Sequence, residues 1–343
     1  MQGLQVLSLF PRLSYSRGKI QAKNELRLHC KAWKRDKNLR ILGKTEIAAK
    51  IVNQKIANSY NLLKELSRYY SVLDVQSIEK IFAAEEVNYN QNQYGKNNNN
   101  LLMMYEGRIA TFYWDCLAKV FSKLYPAFNF KGRKNKSYSW NMNASDKVNA
   151  LMNYGYAILE SEVRKDINAV GLDPAIGFLH ELDESKEPLV YDLQELFRWL
   201  VDLSVIQLLE EKKLKKSDFI VTENYHIRLK EQTAKALIEK IKLNMNAKAA
   251  FKGRNATYQT ILFNNIETLA NFVIGKSNRL DFDLPASASK RNDNLDIQHR
   301  ILTMTPEERK RLGISKSGLW YQKRKLAEGK SIKIYDKVLS KLT

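Results

Sequence analysis

The sequence predicts a mainly α-helical protein, with one large all-helical domain and a small basic module behind it. Glycine and proline together account for only 20 of the 343 residues, which favours long helices over many short strands joined by turns. From residue 45 onwards, apolar residues recur at helical spacing in several segments. A chain of this length is too long for a single hydrophobic core, so a large domain with small appendages is expected.

Three regions follow from the pattern along the chain. Residues 1–42 form a short N-terminal segment with a candidate strand at Leu4 to Leu9. Residues 43–285 contain the helical periodicity, interrupted at 88–100 by a polar, low-complexity stretch that cannot bury a core and is expected to be a mobile surface loop. A linker of small and polar residues at 285–294 then leads to a compact unit at 295–343.

The chain carries a strong excess of positive charge, with 57 lysine and arginine residues against 37 acidic ones and a formal net charge of +20. Such an excess indicates polyanionic partners rather than a fold. The longest apolar stretch, 189–209, is interrupted by four charged residues, so no membrane association is expected. Cys30 and Cys116 are the two cysteines and lie far apart, which is typical of a reducing compartment and predicts a cytoplasmic location.

The last unit has the start and stop signals of a helix-turn-helix. Thr305 as N-cap and Pro306 at the first helical position begin one helix, and Gly313 ends it. Ser315 then caps a second helix that runs to about residue 327. Two helices joined by a short turn containing glycine are the arrangement of a helix-turn-helix.

Positive charge is concentrated in the same unit, because residues 290–343 hold 14 lysine and arginine residues against 6 acidic ones, an excess of eight. Basic residues beside Trp320 and Tyr321 favour a helix that lies against DNA phosphates, with the aromatic rings packing beneath it or stacking. An ordinary solvated basic helix is the alternative. The candidate DNA-binding residues here are Lys316, Lys323, Arg324 and Lys325.

Glu106 is the first candidate for a metal-binding or catalytic residue. It is the only acid before Asp115 in the nearly apolar run 101–114, and a carboxylate among such neighbours is costly unless a cation or a donor compensates it. The compensation is either a structural ion pair, with Arg108 or with a basic residue elsewhere, or a metal ion. The pattern alone leaves both interpretations open.

His180 follows a glycine- and proline-containing stretch, which places its imidazole on a turn near the surface of the core. By itself such a histidine is more often a hydrogen-bonded residue than a ligand. A helix predicted over 189–213 strengthens the case that His180 is a ligand. Charged residues of this helix are three, three and four residues apart and therefore lie on one face. The four charged residues are Asp192, Glu195, Arg198 and Asp202. A solvated face is plausible for Asp202 and less so for Asp192 and Glu195.

One imidazole with two carboxylates is a hard, oxygen-rich ligand set, which suits Mg²⁺ or Mn²⁺ and leaves positions for water and phosphate oxygens. Zinc sites usually contain more histidine or cysteine. Such a site performs phosphoryl chemistry by polarising a scissile phosphate and activating a hydroxyl or water in line with the leaving group. These residues therefore predict a metal centre for reactions at phosphate.

Four blocks of sequence resemble signature blocks of the CRISPR adaptation integrases, a family to which the integrases of casposons are related. The resemblance covers about residues 40–285 and implies a helical, metal-dependent integrase or endonuclease, which inserts DNA fragments as new spacers by joining 3′-hydroxyl ends to target phosphodiesters. The blocks are YEG at 105–107, LMNYGYAILESEV at 151–163, GLDPAIGFLHE at 171–181 and LVYDLQELFR at 189–198.

The resemblance also implies roles for individual residues. Glu106, His180 and Glu195 fall in the family's order of metal ligands, and Asp192 matches a second acidic position that assists. Arg108 and Arg198 are candidates for neutralising phosphate charge. The implied partners are a DNA duplex with 3′-hydroxyl ends, a target duplex, further copies of the chain in a homodimer or higher oligomer, and the family's small partner protein.

The chain departs from the family at its front, where about forty residues precede the first predicted helix and the family has a longer β-domain. Residues 1–42 are interpreted as a reduced form of that domain, which bears on dimerisation and on docking of the small partner. One alternative function is the same chemistry in a casposon transposase or a stand-alone integrase. Another is a non-catalytic DNA-binding regulator that uses only the helix-turn-helix.

Overall fold

The computed structural model divides into two compact units, Met1–Ala286 and Ser287–Thr343. The expected strand at Leu4 to Leu9 and the linker from residue 285 lie outside the described residues. The residues that the structure describes are 37–92, 99–133, 144, 146–180, 187–211, 214–223, 226–277, 279–282, 284, 304–311 and 313–327.

Helices dominate the first unit, which confirms the mainly α class. Their apolar stripes face inward, so that Ile51, Leu117 and Leu151 are fully buried. Across the described residues, no helix has the length and apolarity needed to cross a membrane. The helices are α1 (Lys37–Ser67), α2 (Val75–Asn92), α3 (Asn99–Leu124), α4 (Lys147–Val170), α5 (Pro188–Gln194), α6 (Arg198–Glu211), α7 (Glu231–Asn246) and α8 (Tyr258–Val273).

Two antiparallel hairpins, which the sequence did not predict, lie between the later helices. Strand β1 (Phe219–Val221) pairs with β2 (Ile227–Leu229), and β3 (Lys248–Phe251) pairs with β4 (Arg254–Thr257). Strands of three or four residues are too short to show an alternating pattern. The second hairpin turns through residues 252 and 253, which both have positive φ, 48° and 76°, as a tight hairpin turn requires.

Helix α4 is central, because it packs against α5, α6, α7 and α8. Gly155 permits a close approach to α6, since a Cβ at this position would lie 2.5 Å from Cγ1 of Val201. Asp146 caps the helix by accepting a hydrogen bond from the Asn149 N–H at 2.8 Å, and Gly171 ends it with a φ of 91°. Helices α1 and α3 pack against each other and against α6, which brings the candidate site together.

The helix expected over 189–213 is interrupted, so the expectation of one continuous helix is wrong, although Glu195, Arg198 and Asp202 still line one cavity. Residues 195–197 separate α5 from α6, and the Leu196 N–H bonds to the carbonyl three residues back, that of Leu193, at 3.3 Å. Asn58 of α1 donates to the Leu196 carbonyl at 2.9 Å and so satisfies a group that a continuous helix would use internally. Tertiary packing on α1 therefore overrides the helical periodicity at this point.

The polar stretch at 88–100 is helical at both of its ends. Helix α2 continues to Asn92 and α3 begins at Asn99, so the expected loop is wrong for residues 88–92 and 99–100. Tyr89 stacks on Tyr105 of α3, with 4.7 Å between ring centroids. This contact between helices extends α2 beyond the point at which its sequence becomes polar.

The second unit contains two described helices, α9 (Pro306–Arg311) and α10 (Lys316–Ala327). The turn between them includes Gly313 with a φ of 67°. The Ser315 hydroxyl accepts a hydrogen bond from the backbone N–H of Gly318 at 3.0 Å, which is the cap that the sequence predicts.

Candidate metal and phosphate site

Two glutamates from distant parts of the chain meet on one lysine. Nζ of Lys55 on α1 lies 2.6 Å from Oε1 of Glu106 on α3 and 2.8 Å from Oε2 of Glu195, in the break between α5 and α6. Burial by itself would lower the pKa of Lys55, but the charges of Glu195 and Glu106 outweigh burial and raise the pKa. A charged ammonium therefore compensates both carboxylates.

Arg198 supplies a second cation to Glu195. Its Nη1 lies 2.7 Å from Oε1 of the carboxylate, which is only 6% exposed. Burial alone would raise the pKa of Glu195, but Arg198 and Lys55 outweigh burial and lower the pKa from 4.5 to about 2. The stabilisation from this carboxylate is therefore complete at neutral pH and is lost as the pH falls from 4.5 toward 2.

Asp192 holds the turn that carries His180. Its fully buried carboxylate accepts hydrogen bonds from the backbone N–H groups of Phe178, Leu179 and His180, the last two at 3.0 and 3.1 Å. Its Oδ1 also lies 2.6 Å from Nδ1 of His180, and this hydrogen bond raises the pKa of His180 against the effect of burial. Because Nδ1 is engaged, Nε2 is the ring nitrogen that can bind a metal.

The two glutamates and their cations line a cavity of about 420 Å³. Arg133, from the segment after α3, lies 5.1 Å from the ring centroid of Tyr156, and Arg198 lies 4.2 Å from the same centroid. Cations beside a candidate metal site suit a phosphodiester, whose charge they would share with the metal. The cationic side chains of the wall are Lys55, Lys131, Arg133 and Arg198.

Asp202 also lines the cavity, and the interpretation of this residue as part of a solvated face is wrong. It is 2% exposed, and its carboxylate accepts hydrogen bonds from the hydroxyls of Tyr113, at 2.5 Å, and Tyr156. Burial raises the pKa of Asp202, and the tyrosine hydrogen bonds oppose that effect. The residue fixes two rings of the cavity wall, so its role is to support the site.

The donor types fit a hard divalent ion. Both oxygens of Glu195 already have cationic partners, Arg198 on Oε1 and Lys55 on Oε2, so an ion would have to displace one of these cations. The charge of Glu195 raises the pKa of His180 and that of Lys55 lowers it, although His180 is not among the residues that line the cavity. In the part of the chain that the structure describes, however, no three histidine, cysteine or acidic side chains lie close enough to hold an ion. The Lys55 ammonium contacts the carboxylate oxygens that an ion would need.

The remaining predicted residues lie apart from this cluster. Nε of Arg108 lies 2.5 Å from Oε2 of Glu85 on α2, so the ion-pair partner of Glu106 is Lys55 rather than Arg108. A contact between Arg108 and a phosphate would require this ion pair with Glu85 to open. Its role toward DNA stays a prediction.

In the second unit, the basic residues of α10 combine with exposed aromatic rings. Trp320 and Tyr321 are 60% and 56% exposed. Arg324 lies 5.5 Å from the ring centroid of Trp320, and Lys325 lies 5.1 Å from that of Tyr321. Lys316 is exposed, whereas Nζ of Lys323 donates to the Met304 carbonyl at 3.3 Å. These contacts are compatible with both a DNA-binding helix and a solvated basic one.

Comparison with known proteins identifies the family of this chain. A family model described as CRISPR associated protein Cas1 matches residues 15–242. The chain belongs to the Cas1 family. Its candidate ligands Glu106, His180 and Glu195 all lie within the part that matches the Cas1 model.

Two relatives named CRISPR-associated endonuclease Cas1 1 illustrate the extent of the likeness. The chain is 31% identical to the protein of Archaeoglobus fulgidus over 176 residues, 51% of this chain and 50% of the relative. It is 31% identical to the protein of Francisella tularensis subsp. novicida over 246 residues, 71% of this chain and 68% of the relative. The chain thus spans half the length of the first and about two thirds of the second.

Solved structures show the same fold. A casposase bound to its integration product aligns with a TM-score of 0.64 and 32% identity, over 78% of this chain and 72% of the casposase. A Cas1 protein from Thermotoga maritima aligns with a TM-score of 0.58 over 78% of this chain and 75% of that one. At 20% identity, the second likeness bears on the fold alone.

Lys55 and Asn58 of this Cas1-family chain are site residues that the motifs did not indicate. Both lie on the buried side of α1, at steps of four and seven residues from the fully buried Ile51. Polar residues at core-facing positions of an amphipathic helix need partners and are therefore a signal for a site. Asn58 anchors the break that carries Glu195, and Lys55 contacts its carboxylate.

The first prediction concerns Gly177, in the turn before His180. A Cβ at Gly177 would lie 2.7 Å from Cβ of Pro188 and 2.8 Å from the His180 carbonyl oxygen, so the turn would have to move. We expect Gly177→Ala to lower the free energy of unfolding by about 1–3 kcal/mol. Gly107→Ala is the control, because a Cβ in that helical position meets nothing within 4 Å and should stabilise by about 0.5–1 kcal/mol. Equal unfolding curves for both variants would contradict this account.

The second prediction concerns Asp192→Asn. All the groups that face this carboxylate are donors, so an amide NH₂ would leave at least one of them unsatisfied at a cost of about 1–3 kcal/mol. We expect Mn²⁺ affinity to fall by about 10- to 100-fold, because the orientation of His180 is loosened while the candidate ligands remain. Asp166→Asn, at another buried carboxylate, is the control and should leave Mn²⁺ affinity unchanged. Titration calorimetry measures both; a complete loss of binding in Asp192→Asn would make Asp192 a ligand itself.

Proposed function

We propose that this protein is a metal-dependent DNA integrase that joins DNA 3′-hydroxyl ends to target phosphodiesters by direct transesterification. The observation that supports this function best is the convergence of Glu106 and Glu195 on one cation, with His180 held nearby by Asp192, in a chain of the Cas1 family. The relatives are named endonucleases, and strand transfer and strand cleavage share the in-line displacement at phosphorus.

In this proposal Glu106, His180 and Glu195 hold Mg²⁺ or Mn²⁺, which supplies the charge that polarises the scissile phosphate. Asp192 keeps His180 in the tautomer that presents Nε2. Arg198 stays on Glu195 and lines the cavity, where it neutralises charge on the substrate phosphate. The attacking 3′-hydroxyl belongs to the DNA, so the protein needs no nucleophile of its own.

The proposed partner is DNA, with one duplex that supplies 3′-hydroxyl ends and another that serves as target. The net charge of +20 supports this partner, and so does the likeness to a casposase whose structure was solved with its integration product bound. Two further structural neighbours are Cas6-RT-Cas1--Cas2 complexes. At 17% identity, this likeness bears on the fold alone. We propose in addition that this chain acts as a homodimer or higher oligomer, in the cytoplasm, with or without a small partner protein.

Two settings share this chemistry. Spacer acquisition is favoured by the match to the Cas1 family model. Integration of a mobile element is the second candidate, supported by 32% identity to the casposase over 78% of the chain. Integration assays with two kinds of donor distinguish them: a preference for the ends of one mobile element would support the second setting, and equal use of short duplexes of varied sequence would support the first.

The function itself is tested by incubating the full chain with labelled oligonucleotide duplexes, a target plasmid and Mn²⁺. We expect label to become covalently joined to the plasmid, and we expect a chelator to abolish the joining. Tight DNA binding without any joining or cleavage would contradict the proposal and favour a non-catalytic regulator that uses the helix-turn-helix.

A further inference from the structure

The Lys55 ammonium forms ion pairs with two carboxylates at the same time. One ammonium lies 2.6 and 2.8 Å from oxygens of two carboxylates that come from distant parts of the chain, so these oxygens are at most 5.4 Å apart. The two carboxylates are the proposed metal ligands Glu106 and Glu195. A lysine ammonium is a compact point charge on a flexible stem, and it resembles a metal cation more than a planar guanidinium does.

Two carboxylates this close repel each other unless a cation compensates them. Arg198 cannot compensate both, because its guanidinium contacts Oε1 of Glu195 and stacks on the Tyr156 ring. Lys55 contacts Glu106 and the other oxygen of Glu195, so it is the cation that joins the pair. Its side chain is 23% exposed and lines the cavity, which gives the ammonium a path away from the carboxylates.

We propose that Lys55 is a positioning residue that occupies the cation position between Glu106 and Glu195 and competes there with the divalent metal. This inference rests on the proposed function, since it assumes that these glutamates are metal ligands. Lys55 holds the two carboxylates together in the metal-free protein and withdraws into the cavity when Mn²⁺ or Mg²⁺ binds. A competing cation weakens metal binding, whereas a purely structural cation would strengthen it by keeping the ligands in place. The sign of the effect therefore distinguishes the two roles.

The test compares Mn²⁺ binding in the full-length wild-type protein and in Lys55→Met, which keeps the length of the stem and removes its charge. Titration calorimetry without DNA reads the affinity directly, independently of catalysis. We expect Lys55→Met to bind Mn²⁺ at least about tenfold more tightly, because the ion no longer has to displace a positive charge from the two carboxylates. We also expect its melting temperature without metal to fall and to rise more on addition of Mn²⁺ than that of the wild type.

Two variants serve as controls. Lys55→Arg keeps the charge and should keep the weaker, wild-type affinity. Lys64 lies on the same helix, and its ammonium pairs with Glu79 at 2.9 Å. Removing this ammonium in Lys64→Met should leave Mn²⁺ affinity unchanged. If Lys55→Met does not fold, Lys55→Gln replaces it, since the neutral amide can still donate hydrogen bonds to the carboxylates.

The outcomes separate this inference from the proposed function. Unchanged or weaker Mn²⁺ binding in the neutral Lys55 variants, with binding lost in Glu195→Gln, would overturn the competition and leave the metal site standing. Absence of Mn²⁺ binding in every variant and in the wild type would overturn both. Tighter binding in Lys55→Met alone, with Lys55→Arg and Lys64→Met like the wild type, is the result that supports the inference.

Discussion

Glu106→Gln and Glu195→Gln are each expected to abolish strand transfer, with a loss of at least about a thousandfold. The glutamine keeps the size of the side chain and removes its charge, so a metal contribution of several kcal/mol to stabilising the transition state is lost. His180→Ala should have the same effect. DNA affinity should remain close to that of the wild type, because the excess of basic residues elsewhere carries binding. Strand transfer is measured with labelled oligonucleotides and DNA affinity by fluorescence anisotropy.

The control for these variants is Glu79→Gln, which removes a carboxylate from a surface ion pair with Lys64 and should leave strand transfer unchanged. Circular dichroism checks that helical content is kept, which matters most for Glu195→Gln, since this buried carboxylate compensates both Arg198 and Lys55. Substantial activity in any one of the three site variants would show that the residue concerned is not a ligand.

Removal of residues 290–343 is expected to reduce DNA affinity and flatten its salt dependence, while strand transfer at saturating DNA survives. The deletion removes an excess of eight positive charges and none of the proposed ligands. The slope of log affinity against log salt changes by about 0.9 for each duplex phosphate that the protein neutralises. Fluorescence anisotropy over a salt series measures both the affinity and the slope.

Point variants in the full chain make the same test without deleting a unit. Replacing Lys316, Arg324 and Lys325 together by alanine should reduce the slope by up to about 3, if each neutralises one phosphate. Lys235→Ala on α7, whose ammonium pairs with Glu231 at 2.6 Å, is the matched control for a lysine in an ordinary surface ion pair. An unchanged slope in both the deletion and the triple variant would identify α10 as a solvated basic helix.

Much of the fold could be predicted because its signals are local. Pro306 begins a helix of the second unit, Gly313 follows it in the turn, and Ser315 caps the next helix, as predicted. These features depend on caps, turns and periodicity within a few residues. The short hairpins were missed because strands of three or four residues carry too little pattern, although the Lys252–Gly253 turn was a usable signal.

The sequence by itself determined the mainly α class and which residue types are available for a metal at a phosphate site. The tertiary structure decided which charges meet. Glu106 pairs with Lys55, 51 residues away, and not with Arg108, two residues away, because α1 and α3 pack together and Arg108 faces Glu85 on α2. It also directed Asp192 to the turn of His180 and Glu195 to Lys55 and Arg198. Distances between segments far apart in the chain depend on packing, and periodicity within one segment cannot specify them.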